Sequence, residues 1–448
     1  MASTSTPARL NILLLALLVI LHGVSSASSQ TSQSEKDKST PDWLTIALEH
    51  RTRVEKMTNE FRFDELGATQ VLAFRTRFQF EIKELIDPIR FHIEIQDSRS
   101  EWNDDPFVIP ARHINKLDFK QVQLQVITNT FFGIDVSSRL QVGRYTMDLG
   151  KRRLSARNRM RNTTNAFDGV HWQLGTDNEW MLRAFVNRPV EIKPEELDSS
   201  HNKRWFWGGY LQLHEVPIVH VDLYYLGLHE DERTVTQRKY ATIGGRAYQS
   251  PRPGRLDYEI ESTWQFGTNK GLDHFAHFQH GELGYVFDSV MDSRLSFHYD
   301  YASGDEDPHD DNFGRFSTLF GARRFEFNPT GVYGPFFRGN LHSPGIRIAM
   351  IPSSSWEIMA SYRLLWLAEA KDAWIGSGLQ DPTGESGSHL GSHFESRIRF
   401  RPHRYILVEG GYAHFFKGTY LDRVPDSPRT PDSDFVYIGV EIRAPLLR

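Results

Sequence analysis

The sequence predicts an all-β fold, namely a transmembrane antiparallel β-barrel of about 18 strands with long extracellular loops. The first observation behind this prediction is an alternation of apolar or aromatic residues with charged or amide residues, as in Phe74–Ile82. Successive side chains of a strand point to opposite faces, so such a segment has one apolar face and one polar face. The second observation is that the pattern returns along the whole chain, as in Leu256–Phe266. The third is an apolar leader at the N-terminus, which indicates export.

The N-terminal leader predicts a signal peptide at residues 1–27. Arg9 is the only charged residue before the apolar run 10–21, and Ser25-Ser26-Ala27 supplies the small residues that signal peptidase requires. An uncleaved anchor is the alternative, but the run is short for a membrane-spanning helix. We therefore expect a signal peptide (1–27), a polar N-terminal segment (28–42) and one barrel domain (43–448).

Composition excludes several classes of protein. The chain contains no cysteine, which excludes a disulfide scaffold, a thiolate metal site and a lipoprotein anchor. The net charge of -5 and the absence of a basic cluster of the nucleic-acid-binding type argue against a nucleic-acid partner. Aromatic residues make up 12% of the chain, which suits the aromatic girdles of a membrane barrel. No cofactor is expected.

The alternating segments give the predicted strands in order. The first runs over 43–55, where a helix is the competing interpretation because alanine and glutamate favour it. The others are predicted near 71–83, 88–97, 117–128, 135–145, 167–175, 179–188, 204–214, 218–229, 237–249, 255–267, 272–287, 292–302, 340–351, 354–368, 389–401, 404–416 and 434–443.

The connections alternate between short and long, as they do in barrels with tight periplasmic turns and larger outer loops. Ser353-Ser354 and Pro402-His403 are predicted to be tight turns. Long loops are predicted at 98–116, 146–166, 189–203, 303–339, 369–388 and 417–433. A structureless segment as long as 303–339 is unusual in a compact soluble domain, but it suits a loop that folds into or over a pore.

Short motifs occur in a fixed order over nearly the whole chain that follows the leader. They are Arg51–Glu55, Val142–Arg144, Asn165–Val170, Trp205–Tyr210, Asp257–Glu261, Asp300–Asp305, Trp366–Glu369 with Asp372–Trp374, and Gly410–Gly418. In this ordered set the chain resembles the alginate-export family of outer-membrane porins. The resemblance implies an 18-stranded barrel of the bacterial cell outer membrane, reached after secretory export to the periplasm, whose arginine-lined lumen passes an acidic polysaccharide outward.

The C-terminus departs from the usual pattern of outer-membrane strands, which commonly finish on an aromatic residue. This chain ends Ala444-Pro445-Leu446-Leu447-Arg448. We expect either that the last strand covers Val436–Ile442 and is followed by a short tail, or that the assembly signal differs.

Assigning the apolar positions to lipid predicts which residues face the pore. The substrate-contacting, pore-lining candidates are Arg51, Arg53, Arg75, Arg77, Arg144, Arg152, Arg183, Arg347, Arg363, Arg397 and Arg399. Guanidinium groups stay charged and pair bidentately with carboxylates, and rings of charged side chains select anions in pores. Asp257, Glu259 and Glu261 share one polar face and predict an opposite, acidic wall, and hence a transverse field across the lumen.

Alternatives stay open for these residues. The lumen arginines could pair with lumen acids and simply rigidify the wall. The basic run around Arg152 could be the mouth or constriction that captures a polyanion, a solvated loop, or a loop that binds acidic lipid headgroups. Asp305, Asp307, Asp310 and Asp311 form a weak calcium candidate through oxygen ligands, whose alternative is a solvated outer loop.

The function predicted from these features is passive diffusion of an anionic saccharide or polysaccharide, without catalysis. No Gly-x-x-x-x-Gly-Lys-Ser/Thr loop occurs, so no nucleotide would drive transport. The expected surroundings are outer-membrane lipids and periplasmic export proteins, with the barrel itself monomeric. A plugged structural or adhesive barrel is the main alternative. A barrel hydrolase has less support, since the chain has no Gly-x-Ser-x-Gly elbow.

Overall fold

The computed structural model of the chain describes residues 43–63, 69–102, 113–176, 179–214, 219–288, 291–323 and 326–447. The predicted signal peptide (1–27) and polar segment (28–42) lie outside the described residues.

Within these ranges the chain forms twenty strands and one short helix, α1 (Thr419–Arg423). The strands are β1 (Leu44–Met57), β2 (Thr69–Ile86), β3 (Ile89–Glu101), β4 (Asn115–Phe131), β5 (Ile134–Tyr145), β6 (Phe167–Gly175), β7 (Trp180–Glu191), β8 (Ser199–Ser200), β9 (Arg204–Leu213), β10 (His220–Glu230), β11 (Arg238–Tyr248), β12 (Leu256–Asn269), β13 (Leu272–Val286), β14 (Arg294–Ala302), β15 (Asn312–Phe313), β16 (Leu341–Ser353), β17 (Trp356–Trp366), β18 (His389–His403), β19 (Ile406–Lys417) and β20 (Ser433–Leu447). Among the described residues, no helix is long and apolar enough to cross a membrane.

Eighteen of these strands form a closed antiparallel barrel. Each pairs with its neighbours in chain order, and β1 pairs with β20 to close the ring. The two-residue strands β8 and β15 attach to β7 and β13 and are not part of the ring. A closed ring leaves no unpaired strand edge in lipid, where an unsatisfied backbone group costs several kcal/mol. The predicted barrel and its strand number are confirmed.

The predicted first strand is confirmed and the competing helix is wrong, since β1 runs over Leu44–Met57 and pairs with β2 along its whole length. Several strand ends differ from the prediction, among them those at two turns and at the C-terminus. The predicted turns at Ser353-Ser354 and Pro402-His403 lie one or two residues too early, since β18 runs to His403 and the next strand begins at Ile406. Of the two alternatives for the C-terminus, the short tail after Ile442 is wrong, because β20 continues to Leu447.

Short and long connections alternate around most of the ring. The start of β1 pairs with the end of β20 at Ile46 and Leu447, so both lie at the end of the barrel that carries the turns 87–88 and 132–133. Short turns face the periplasm in outer-membrane barrels. We call this end the short-turn end and the other the long-loop end.

The long loops fold inward and pack at the long-loop end of the lumen. One apolar cluster joins inward residues of β1 and β19, such as Met57 and Phe415, to loop residues such as Phe327 and Trp374. A second cluster joins β9 and β10 to the β5–β6 loop, with Leu149 buried among them. Outward side chains are instead exposed, for example Ile260 on β12. The barrel therefore has an apolar outer belt and a lumen that its own loops partly fill.

Candidate functional site

Four of the predicted pore-lining arginines lie side by side on the inner faces of β1 and β2. Arg51 and Arg53 come from β1, Arg75 and Arg77 come from β2, and Arg51 stands directly opposite Arg75 in the strand register. All four side chains are buried. A buried charge is tolerated only when it is paired and hydrogen-bonded, so their partners decide what they do.

Their first partners belong to the β5–β6 loop, residues 146–166. Arg51 Nη1 donates to the carbonyl of Arg159 at 2.8 Å, and Arg53 Nη1 donates to the carbonyl of Met160 at 2.5 Å. The strand β2 contributes in the same way, since Arg75 Nη1 also donates to the Arg159 carbonyl, at 3.1 Å. These arginines hold the loop inside the lumen.

Their second partners are acidic residues of the same walls. Glu49 Oε1 accepts hydrogen bonds from Arg75 at 2.8 Å and from Arg77 at 2.9 Å. Arg53 Nε donates to Glu55 Oε1 at 2.7 Å. The pairing that sequence analysis left as the alternative is therefore present at these positions, alongside the contacts with the loop.

A cavity of about 380 Å³ lies next to these arginines and reaches the short-turn end, where Tyr405 of the β18–β19 turn lines it. Of the described residues that line it, nine are arginines and two are glutamates, Glu409 and Glu441. We call this cavity the basic vestibule. Its arginines are Arg51, Arg53, Arg152, Arg159, Arg397, Arg399, Arg401, Arg404 and Arg443.

Several vestibule arginines are partly neutralised and others project into solvent. Arg399 Nε donates to Glu409 Oε2 at 2.5 Å, and Arg401 Nη1 donates to Glu357 Oε1 at 2.7 Å. The side chains of Arg159 and Arg443 are 70% and 62% exposed, and Arg443 is at the same time paired with Glu441 and Glu49. Positive charge in such excess raises the local concentration of anions in a cleft.

Arg401, Arg404 and Arg443 are vestibule residues that were not predicted from the sequence. All three fall at the ends of the predicted strands 389–401, 404–416 and 434–443, and they were not assigned to the pore. The signal was present, because Arg401 continues the alternation that includes Arg397 and Arg399.

The predicted acidic residues lie on the inner face of β12. Asp257 is paired with Arg294, while Glu259 and Glu261 are both paired with Arg153. In the ring of eighteen barrel strands, β12 lies nine steps from β2 in either direction, so this acidic wall is opposite the β1–β2 arginines. The arrangement has the charge separation that the hypothesis of a transverse field requires.

Arg153 crosses from the β5–β6 loop to this acidic wall. Its Nη1 lies 2.5 Å from Glu259 Oε1, its Nη2 lies 2.5 Å from Glu326 Oε1, and it also contacts Glu261. Burial opposes the charge on Arg153, but the carboxylates of Glu259 and Glu261 outweigh it and raise the pKa of Arg153. The side chain therefore stays protonated and ties two inward loops to β12.

The remaining predicted arginines also face the lumen, where loops cover them. Arg347 Nη2 and Arg363 Nε donate to the backbone carbonyl of Glu326, at 2.9 Å and 3.2 Å. Arg183 Nη1 donates to the carbonyl of Asp148 at 3.0 Å. Arg363, Arg347 and Arg183 thus position the β5–β6 and β14–β16 loops.

One predicted pore residue, Arg144, lies elsewhere. It shares a face of β5 with Val142, which is exposed to the outside of the barrel. Its guanidinium pairs with Asp168, its register partner on β6, with Nε 2.8 Å from Oδ1. The correction follows from strand parity, because Gln141 and Tyr145 are the buried, inward residues at this end of β5.

The aspartates proposed for calcium do not converge on a common point. Asp305 accepts a hydrogen bond from the Gly314 backbone, Asp307 from the His309 backbone and Asp310 from the Asn312 backbone. Over the described part of the chain, no group of three or more acidic or histidine side chains could hold a metal ion. The calcium hypothesis, which also included Asp311, lacks the cluster that it needs.

Comparison with solved structures identifies the fold. Acinetobacter baumannii OccAB1 matches with a TM-score of 0.62 at 10% identity, over 93% of this chain and 100% of that chain. Pseudomonas aeruginosa OpdO matches with a TM-score of 0.58 at 13% identity, over 91% and 98%. Pseudomonas aeruginosa OccK5 (OpdH) matches with a TM-score of 0.58 at 12% identity, over 91% and 100%. The shared architecture is that of outer-membrane barrel porins.

Comparison with known sequences identifies the family. No curated protein matches the chain. The sequence model described as alginate export matches residues 42–431, which is most of the chain and almost all of the barrel. With its closed eighteen-strand barrel, the chain belongs to the alginate export family and is a β-barrel channel protein of the bacterial outer membrane.

Proposed function

We propose that this channel conducts anionic saccharides, of the alginate-like kind that carry carboxylates, by passive diffusion along an arginine-lined passage. The observation that carries the proposal is the basic vestibule at the short-turn end, where nine arginines and two glutamates line one cavity. Rings of basic side chains select anions, and guanidinium groups match carboxylates in geometry as well as in charge.

The lining also suits transit. Arg399 and Arg401 already share carboxylates of the wall, so each can offer an incoming anion only part of its hydrogen-bonding capacity. Conduction requires binding that is strong enough for entry and weak enough for release. A polymer that carries a carboxylate on each sugar would exchange among such sites one step at a time.

The test is the reversal potential of the refolded protein in a planar bilayer under a salt gradient. We expect anion selectivity that falls in a double variant, Arg404→Ala with Arg443→Ala, because both arginines line the vestibule. Arg252→Ala is the matched control, since Arg252 is an exposed arginine of a connection at the same end. Cation selectivity of the unmodified channel would mean that the acidic wall dominates and that the proposal is wrong.

A plugged barrel without transport is the second candidate, favoured by the apolar packing of the inward loops at the long-loop end. A plugged barrel would show no steady conductance in the same bilayer, whatever the salt gradient.

The proposal extends to the surroundings of the barrel. Outer-membrane lipids would cover the outward apolar side chains, and periplasmic export proteins would deliver a polymer to the vestibule, while the barrel acts as a monomer. No catalytic step is part of the proposal.

A further inference from the structure

The β14–β16 loop, residues 303–340, places Glu326 inside the barrel among four arginines. Its carboxylate is held on both oxygens, with Oε1 accepting from Arg153 Nε at 2.7 Å and Oε2 accepting from Arg338. Its backbone carbonyl accepts from Arg347 and Arg363. Glu326 is buried, so these contacts replace its hydration. We call Arg153, Arg338, Arg347 and Arg363 the arginine cage.

The aromatic side chain of the next residue fits the same cage. The Phe327 ring centroid lies 5.2 Å from Cζ of Arg338 and 4.9 Å from Cζ of Arg363, within the range of cation–π contacts. Glu326 thus presents its carboxylate to the guanidinium groups of Arg153 and Arg338. Phe327 presents its ring face to the guanidinium groups of Arg338 and Arg363. Guanidinium groups that line a pore would bind an acidic sugar through the same combination of charge and flat surface.

The cage also adjoins the basic vestibule. Arg338 Nη1 donates at 2.7 Å to the carbonyl of Ala322, and Ala322 itself lines the vestibule. Burial, reinforced by the charge of Arg153, lowers the pKa of Arg338 to about 9. A carboxylate beside Arg338 therefore stabilises a charge that its surroundings disfavour.

We propose that Glu326 is a built-in competitor for the carboxylates of the cargo, so that the arginine cage is a carboxylate-binding site that the channel itself occupies. The inference rests on the proposed function, since it assumes that an anionic saccharide reaches the vestibule. Exchange requires that the Glu326 side chain leaves Arg153 and Arg338, and that a cargo carboxylate reaches them from the basic vestibule, which Arg338 adjoins through Ala322.

The test is the block of ionic current by trigalacturonate added at the short-turn side of the channel. In Glu326→Gln the cage keeps its arginines and loses the Glu326 charge, while the side chain keeps its size. Glu259 and Glu261 still pair with Arg153, and Asp300 still pairs with Arg363, so the variant tests the Glu326 carboxylate alone. We expect the half-blocking concentration to fall at least about tenfold, because a hydrogen bond to a charged group is worth roughly one decade in affinity or more. Glu306→Gln is the matched control, as it removes an exposed charge from the same loop.

Maltotriose, which carries no carboxylate, should block all three proteins equally. A half-blocking concentration for trigalacturonate that is equal in Glu326→Gln and Glu306→Gln overturns the inference. If Glu326→Gln fails to fold, Glu326→Asp replaces it, since a shorter carboxylate should weaken the competition in the same direction. Failure of the proposed function would be recognised by a different measurement, since the unmodified channel would then show no anion selectivity in its reversal potential.

Discussion

Replacement of Arg153 by glutamine tests the central ionic contact of the lumen. The side chain is buried and lies against three carboxylates, those of Glu259, Glu261 and Glu326. Removal of one partner from a buried ion pair typically costs about 3–5 kcal/mol, because a charge remains buried without compensation.

The contacts that the three carboxylates keep place the expected loss of stability near the lower limit of this range. Glu259 keeps Lys151 at 3.4 Å, Glu261 keeps the hydroxyl of Tyr224 at 2.7 Å, and Glu326 keeps Arg338. We therefore expect Arg153→Gln to lower the free energy of unfolding by about 3 kcal/mol.

The assay is urea-dependent folding into lipid vesicles, followed by the heat-modifiable mobility of the barrel in gels. Arg233→Gln is the control, because Arg233 pairs with Asp231 on the surface and its side chain is 73% exposed. Surface pairs of this kind contribute little to stability, because solvent and salt screen them. If the two variants unfold at the same urea concentration, the ion pairs of Arg153 do not stabilise the barrel as its contacts indicate.

Three further results are expected. Raising the salt from about 0.1 M to about 1 M should reduce anion selectivity in bilayers, because the Debye length falls from about 10 Å to about 3 Å; constant selectivity would exclude long-range attraction. Gly169→Ala should lower barrel stability in urea by about 1–3 kcal/mol, since its Cβ would lie 2.3 Å from the Val186 carbonyl oxygen, whereas Gly281→Ala, with nothing within 4 Å, should be neutral. Arg75→Ala should increase current noise relative to the unmodified channel, because Arg75 binds the β5–β6 loop and Glu49; unchanged noise would mean that other contacts hold the loop.

The number of strands and their order in the ring could be predicted from the sequence, because both depend on patterns within short segments of the chain. Each strand carries its own two-residue alternation, and a chain that meets lipid must close its sheet. The ends of the strands were harder to predict. Proline and histidine at 402–403 indicate a turn, whereas in the structure both residues belong to β18 and the turn begins at Arg404. Alternation specifies which face a residue occupies, but not the residue at which pairing stops.

The candidate site was predictable only in part, because its partners are distant in sequence. Strand parity gave the inward direction of Arg51 and Arg363. It could not show that the carbonyls of residues 159 and 326, on two different loops, would occupy their guanidiniums. Arg144 was assigned to the wrong face of β5, so a residue on the outer surface of the barrel was predicted to line the pore. Loop placement depends on contacts across the lumen that no local pattern contains.

The distribution of charge suggests why such a barrel needs its loops. With β1 and β2 basic and β12 acidic, an empty lumen would expose two facing walls of opposite sign, whose charges are balanced only in part by pairs within each wall, such as Glu49 with Arg75 and Asp257 with Arg294. Arg153 supplies a positive charge to the acidic wall, and the carbonyls of Arg159 and Met160 supply acceptors to the basic one. The vestibule differs because solvent reaches Arg443 and Arg159 there, so positive charge can remain in excess. Fixed loops would thus neutralise the middle of the lumen and leave its short-turn end as the region that attracts anions.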